Sequence, residues 1–374
     1  MNISIVIPTF NREKLLHSLL SSLYNARQAY RYGKTEVLVV DSSAGEEKKK
    51  IAESCRQFDA RYIEGDDSVR KKRNKGIDLA QYEVIHFIDS DVRVESNILN
   101  AHAETLMNSG DPKVAGSFGY TEFVGKKSFW WRVAEHTTYL DSFRFSKMFP
   151  YQSWTIGNNV AFFRDVLIEC GKFREDFPYN LGGDDLEFTY RITKSGYLIK
   201  STPEARCFHS TETWNKHAAI QNRTKRWGTM EYYIKSLHPE LFVNCIVKSD
   251  VRFAFMLVIL LLACPATLSP VPLLVWALWV ALYILMAYIR EGVKNHGLKN
   301  PLYDFLGNWF RKKYHAYFIL ESLRHKDLSC LYQEMTFSQG QTLFMFREAS
   351  QKLWLWLGAG ALALTVTAVI SLFV

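Results

Sequence analysis

Apolar and polar positions along the first 235 residues follow two periods in turn. The run ISIVI at 3–7 is a short β-branched stretch, and Leu15, Leu16, Leu19, Leu20 and Leu23 then recur at the spacing of one helix face. EVLVV at 36–40 is a second strand-like run, followed by a helical stretch from about Glu46 to Phe58 and by the short RYI at 61–63. The segment SVRKKRNKGIDLA leads into VIHFI at 84–88. Strands alternating with helices predict a parallel, doubly wound α/β sheet of the Rossmann-like kind. Ligands of such sheets bind outside the carboxyl ends of the strands. Polar side chains stand at those ends: Thr9 and Asn11 after the first run, Asp41 and Ser42 after the second, Asp89 and Asp91 after the fourth.

The last third has a different pattern. Between Arg252 and Arg290 lie 37 residues without a charged side chain. As one helix they would run about 55 Å against a hydrocarbon layer of roughly 30 Å. Pro265, Pro270 and Pro272 fall near the middle, so the pattern predicts a transmembrane hairpin over 253–289, broken near Pro265–Pro272. The 22 uncharged residues Leu353–Val374 predict a C-terminal span. Residues 290–352 carry ten Lys and Arg, which marks an amphipathic, interfacial segment on the cytosolic side. A hairpin returns the chain to the side it left, so the N-terminal domain is expected there too, with 236–252 as a juxtamembrane connection.

Composition changes this picture little. With 374 residues, 48% apolar and 22% charged, the chain can bury a real core and is not a disordered protein. A net charge of +8 suits nucleic acid, anionic lipid or a phosphorylated substrate alike. The cysteines Cys55, Cys170, Cys207, Cys245, Cys264 and Cys330 are scattered without a CxxC pair, which argues against a zinc module or a disulfide framework and for a reducing compartment. The start MNISIVIPTFNR lacks the pattern of a secretory signal.

Asp89 and Asp91 flank one serine at a strand end. Two carboxylates there can offer oxygen ligands to a hard divalent cation that also takes phosphate oxygens. They can equally be ordinary turn residues. Their company sharpens the choice: IVIPTFNR at 5–12, VVDSS at 39–43, KRNKG at 72–76, DSD at 89–91 and GGDDLEFTYR at 182–191 occur in this order. Together they resemble the family 2 glycosyltransferases of the GT-A fold, over roughly residues 1 to 230. The resemblance implies a GT-A domain over 1–235 with a Rossmann-like mixed sheet. It further implies inverting transfer of a sugar from a nucleotide diphosphate sugar, a UDP- or GDP-sugar, with Mn²⁺ or Mg²⁺.

Carried over by position, the resemblance puts Thr9 and Asp41 at the nucleoside and Arg73 near the nucleotide and its diphosphate. Lys72 departs from the alanine more common before that arginine. Asp91 becomes a metal ligand, and Asp89 contacts the ribose or a metal-bound water and is the second metal candidate. Gly182 and Gly183 open the acceptor-site pattern, and Asp185 aligns with the general base. Asp184 replaces the usual glutamate and can exchange roles with it, and both can also be read as an acidic helix start. His209 lies near where several GT-A enzymes supply a further metal ligand. RTKRW at 223–227 matches the (Q/R)xxRW pattern of membrane-bound polysaccharide synthases, with Arg226 at the diphosphate and Trp227 flooring the acceptor site. Gln221 and Arg223 both offer its first position, and a basic amphipathic helix near a membrane fits the same letters.

The rings Trp130, Trp131, Phe143, Phe145 and Trp154 can stack on sugar faces, dip into a membrane interface or pack a core, and core packing is the commoner use of such clusters. The leading expectation is a metal-dependent glycosyltransferase in a bacterial or archaeal plasma membrane, its catalytic domain cytosolic, acting on a lipid-linked or polymeric glycan acceptor. Variants are a processive polysaccharide synthase, whose few spans would call for a homo-oligomer, and a polyprenyl-phosphate sugar synthase. A degenerate membrane scaffold is the non-enzyme reading, and nucleic acid is not an expected partner.

Overall fold

The computed structural model describes residues 1–137, 139–176, 178, 182–244, 249–267, 270–294, 301–335 and 342–371. They form two compact units, Met1–Ile234 and Lys235–Val374.

The first unit runs β1 (Ile3–Thr9), α1 (Glu13–Gln28), β2 (Thr35–Asp41), α2 (Gly45–Gln57), β3 (Arg61–Glu64), α3 (Val69–Leu79) and β4 (Val84–Ile88). Then come β5 (Val92–Val94), α4 (Ile98–Met107), β6 (Val114–Val124), α5 (Phe129–Glu135), α6 (Phe145–Met148) and β7 (Tyr151–Gln152). The unit closes with β8 (Asn159–Phe163), α7 (Arg164–Glu169), α8 (Asp184–Lys194), β9 (Leu198–Ser210) and α9 (His217–Leu237), the last reaching into the second unit.

The strands lie in the order β3-β2-β1-β4-β8-β6-β9-β5, with β7 on β9. The parallel winding expected from the sequence holds for β3, β2, β1 and β4. Beyond β4 the sheet is mixed, because β8 enters antiparallel to both β4 and β6, and β5 runs antiparallel to β9. The result is an α/β mixed-sheet domain.

Side-chain alternation explains why β1 is buried along its whole length. Ile3, Ile5 and Ile7 join Leu16, Leu19, Leu20 and Leu23 of α1 on one face, while Val6 meets Leu38, Val40 and Ile77 on the other. A strand buried on both faces reads as a continuous apolar run. Gly76 of α3 lets that helix lie directly on β1: a Cβ there would stand 2.3 Å from Val6 Cγ1. This close seat brings the first turns of α3 to the carboxyl ends of β1 and β2.

A polar chain crosses the interior beneath those ends. Asn159 Oδ1 lies 3.1 Å from His86 Nε2 and 2.9 Å from His102 Nε2, so as an acceptor it sets a hydrogen on each of those nitrogens. His102 Nδ1 then accepts from Ser117 Oγ at 2.8 Å. Burial holds both rings neutral, His102 at about 4 and His86 well below its usual value, the latter helped by its neighbour His102.

The second unit contains α10 (Ser249–Thr267), α11 (Val271–Lys294), α12 (Pro301–Arg324) and α13 (Thr342–Ser371), with β10 (Phe242–Asn244) paired to β11 (Gln333–Met335). Phe253, Tyr283 and Ala359 form a small core, and Trp279 Nε1 donates to the Trp356 carbonyl at 2.8 Å. Among the described residues no helix is long and apolar enough to cross a membrane. The transmembrane hairpin expected over 253–289 and the span expected over 353–374 therefore have no counterpart there. In α10 the uncharged part, Phe253–Thr267, gives only 15 residues, about 23 Å of helix. α13 begins well before Leu353 and takes in Arg347, Glu348 and Lys352, which the sequence pattern leaves to the preceding loop. Residues 268–269 of the expected hairpin break, and 372–374 of the expected C-terminal span, lie outside the described residues.

Candidate functional site

The polar residues named at the strand ends do collect at one edge of the first unit. Thr9 ends β1 opposite Asp41, which ends β2. The Asp41 carboxylate is fully buried, accepting from Ser43 Oγ at 2.7 Å and Tyr62 OH at 3.2 Å. Each oxygen keeps a further lone pair for a ligand N–H. The Thr9 hydroxyl is buried without a hydrogen-bond partner among the described residues. Such an orphan is costly unless a ligand completes it. Lys72, the departure from the usual alanine, is 1% exposed and donates through Nζ to the Thr9 carbonyl at 2.6 Å. It ties α3 to the end of β1.

Arg73, one residue on, is the hub of the site. Its Nη1 donates to Asp184 Oδ2 at 2.9 Å and its Nη2 to Asp89 Oδ1 at 3.3 Å, so α3, α8 and the end of β4 meet on one guanidinium. Asp89 thus faces Arg73. Desolvation, and the nearby charge of Asp91, hold its carboxyl above the ordinary range against the pull of Arg73.

Asp91 turns elsewhere. It is 6% exposed, its Oδ2 accepting from Arg12 Nη1 at 2.9 Å and its Oδ1 lying 3.5 Å from His209 Nε2. The pairing of Val92 with His209 in the antiparallel β5–β9 register places that ring beside Asp91. His209 Nδ1 stands 2.9 Å from the Ser210 carbonyl, which can only accept, so the hydrogen of the neutral ring sits on Nδ1. The Nε2 lone pair then confronts a carboxylate oxygen. Two lone pairs face each other comfortably only with a cation or proton between them, and a backbone carbonyl on the far nitrogen is how metal-binding histidines are oriented. Asp91 and His209 therefore fit a divalent cation whose other ligands are phosphate oxygens and water. Among the described residues no three His, Cys, Asp or Glu side chains converge as a metal group, so Asp89 does not join the pair into a ready-made trio.

Gly182 and Gly183, both at positive φ (79° and 78°), turn the chain into α8. A Cβ at Gly182 would lie 3.2 Å from Trp227 Nε1 and 3.7 Å from Arg226 Nη2, and one at Gly183 would strike Met230 at 2.4 Å. The glycine pair is thus pressed against the RTKRW face of α9. Asp184 and Asp185 do begin a helix, yet they divide their work. Asp184 is spent on Arg73. Asp185 accepts from the N–H groups of Gly157 at 3.0 Å and Leu186 at 2.9 Å. Burial first, and the charge of Asp184 second, raise Asp185 to about 6.

Arg223 lies over the Trp214 ring at 4.0 Å and donates to the carbonyls of Thr213 and Ala219. Burial pulls it down to about 10, with Asp91 opposing and Arg226 and Arg12 adding like charge. Arg12, Arg223 and Arg226 thus converge on the cleft. Arg12 stands in the IVIPTFNR motif, which assigns it no role. Its only signal was the NR step after Thr9, where Asn11 takes a left-handed φ of 50° and anchors its N–H on Ser43 Oγ. Trp131, Phe143 and Trp154 are buried; Phe123 packs against Trp131, Phe143 and His209, so Phe123, Trp131 and Phe143 build the wall beside the metal candidate, while Trp154 packs on Phe145. Trp130 is half-buried against His217, with ring centroids 4.7 Å apart.

Residues 4–171 match the family described as Glycosyl transferase family 2. A chondroitin synthase of Escherichia coli is 28% identical over 245 residues, 55% of this chain and 34% of the relative. This chain therefore spans about a third of that relative's length. A GalNAc(5)-diNAcBac-PP-undecaprenol beta-1,3-glucosyltransferase of Campylobacter jejuni is 24% identical over 48% of this chain and 56% of its own. A solved mannosyltransferase of Pyrobaculum calidifontis, in complex with GDP-Man and Mn²⁺, is 19% identical with a TM-score of 0.49, covering 86% of each chain.

Proposed function

We propose that this chain, whose residues 4–171 carry a family 2 glycosyl transferase domain, moves a sugar from a nucleotide diphosphate sugar to a hydroxyl of a lipid-linked or polysaccharide acceptor, with inversion. The observation that carries the reading is the division of labour around Arg73. One neighbouring carboxylate, Asp184, is neutralised by it, while Asp185 next door, two residues after a glycine turn that lies against the RTKRW face, is left with a raised proton affinity.

In this reading Thr9 and Asp41 hold the nucleoside, and Asp41 accepts from a base N–H. Arg73, Arg226 and Arg223 face the diphosphate, where guanidinium groups make strong paired hydrogen bonds. Asp91 and His209 hold the Mn²⁺ or Mg²⁺, which when bound offsets charge on the leaving diphosphate. Trp227 floors the acceptor site beside the glycine turn. Asp185 takes the acceptor hydroxyl's proton as that oxygen bonds to the anomeric carbon and the carbon–oxygen bond to the diphosphate breaks. One displacement with one base inverts the centre, and such a base contributes roughly 10²- to 10⁴-fold.

Attachment to a membrane, catalytic unit on the cytosolic side, belongs to the same reading. Its support is the apolar surface of the second unit, where Phe255, Leu274, Trp354 and Leu364 are each more than half exposed. Lys312 adds a cation to the solvent-facing line of α12 that holds Leu302, Phe305, Trp309, Leu320 and Leu323.

The test is release of nucleoside diphosphate from a panel of UDP- and GDP-sugars by the full chain in native membranes, with Mn²⁺, Mg²⁺ or chelator. Turnover with one donor that chelation abolishes is expected. Absence of turnover with every donor would leave the scaffold reading standing.

A further inference from the structure

Arg12 lies on the carboxylate oxygen that the donor-site reading gives to the cation. It reaches Asp91 from the start of α1, across 79 residues of sequence, and its Nη1 donates to Oδ2 at 2.9 Å. Asp91 is buried, but the Arg12 side chain is 43% exposed, so it approaches from the solvent side and has room to leave. The other oxygen faces the His209 lone pair. The positive charge in this place is thus supplied by the chain itself.

The surroundings give that charge a second destination. Arg12 and Arg226 each act electrostatically on Arg223, and the carboxylates that act on these three guanidiniums include Asp91, Asp89 and Asp184. Like charges gathered at a cleft are relieved by a polyanion, and a diphosphate is the polyanion this cleft would take.

We propose that Arg12 guards the cation position on Asp91 in the donor-free protein and transfers to the donor's diphosphate when cation and donor arrive together. The inference rests on the donor-site reading above. A bare cation must break a partly buried, charge-assisted hydrogen bond and take Arg12 off the carboxylate it holds. A cation arriving with a nucleoside diphosphate offers that guanidinium a replacement. Cation and nucleotide each then tighten the other's binding by the same factor, as linkage requires.

The experiment titrates Mn²⁺, by the loss of its free-ion electron paramagnetic resonance signal, into the full chain alone and with UDP or GDP, for the native protein, Arg12→Gln and Arg12→Lys. Calorimetry of UDP and GDP in chelator supplies the second readout, and circular dichroism confirms that each variant is folded. Arg12→Gln is expected to bind Mn²⁺ alone about tenfold tighter than the native protein, and to bind nucleotide in chelator about tenfold more weakly. Arg12→Lys, which keeps the charge, is expected to lie between the two on both measures. An Arg12→Gln variant that binds Mn²⁺ no tighter than the native protein overturns the proposal, provided the native protein takes up Mn²⁺ with nucleotide. If the native protein takes up no Mn²⁺ with either nucleotide, the donor-site reading falls and the guard with it.

Discussion

Arg73 and Asp184 stand 111 residues apart in sequence and 2.9 Å apart in space, and this ion pair separates two adjacent carboxylates into different chemical kinds. Asp184 is held by a guanidinium. Asp185, in the next position, lies in a recess where burial and the Asp184 charge raise its proton affinity.

Asp185→Asn is expected to lower kcat by roughly 10²-fold or more while leaving nucleotide affinity within a factor of two. Asp184→Asn is expected to weaken nucleotide binding more than kcat, because it releases Arg73. Rates and nucleotide affinities of the two variants, compared side by side, decide the assignment. Equal loss of kcat in both with affinity unchanged would contradict the division of roles.

The pH profile follows from the raised Asp185. A base titrating at about 6 is ionised at pH 7.5 and protonated below, so kcat/KM is expected to fall about tenfold per pH unit on the acid side of 6. The same shift acts on stability with the opposite sign. The folded value lies above the ordinary 3.8, so stability from this group is greatest below about 3.8 and is lost as pH rises through about 6. Asp185→Asn is therefore expected to raise Tm at pH 7.5. A Tm at or below that of the native protein would argue against a strained carboxylate.

The buried histidines give a second pH window. In the folded chain His102 titrates at about 4 against an ordinary 6.5, and His86 also lies well below, so the unfolded chain binds more protons between those values. Stability is expected to be level above about 6.5 and to fall as pH drops toward about 4, by up to about 1.4 kcal/mol per pH unit for each ring. Urea midpoints from pH 7.5 to 4.5 would show the slope. A flat series would mean that the two rings accept protons in place.

Gly76→Ala tests the seat of α3. The added Cβ would sit 2.3 Å from Val6, so the helix must withdraw, at an expected cost of about 1–3 kcal/mol, partly offset by the better helix propensity of alanine. Arg73 lies one turn earlier on the same helix, so UDP and GDP affinity are expected to fall along with the denaturation midpoint. An unchanged midpoint would show that α3 has slack there.

What the sequence by itself determined was local. The buried runs of β1, β2 and β4, the apolar face of α1 and the polar residues at the strand ends were legible because side-chain periodicity depends only on near neighbours. The motif set names Thr9, Asp41, Arg73, Asp91, Asp185 and Trp227 as site candidates within that frame. The mixed half of the sheet, the His209 ring opposite Val92, the Arg12 charge on Asp91 and the different partners of Asp184 and Asp185 come only from tertiary structure. Each depends on which distant strand or helix comes alongside, and on how much water that approach removes. Long-range register and desolvation leave no periodic mark in the chain. The two aspartates around Ser90 show the difference: spacing gave them one shared role, and the fold turned one to Arg73 and the other to His209 and Arg12.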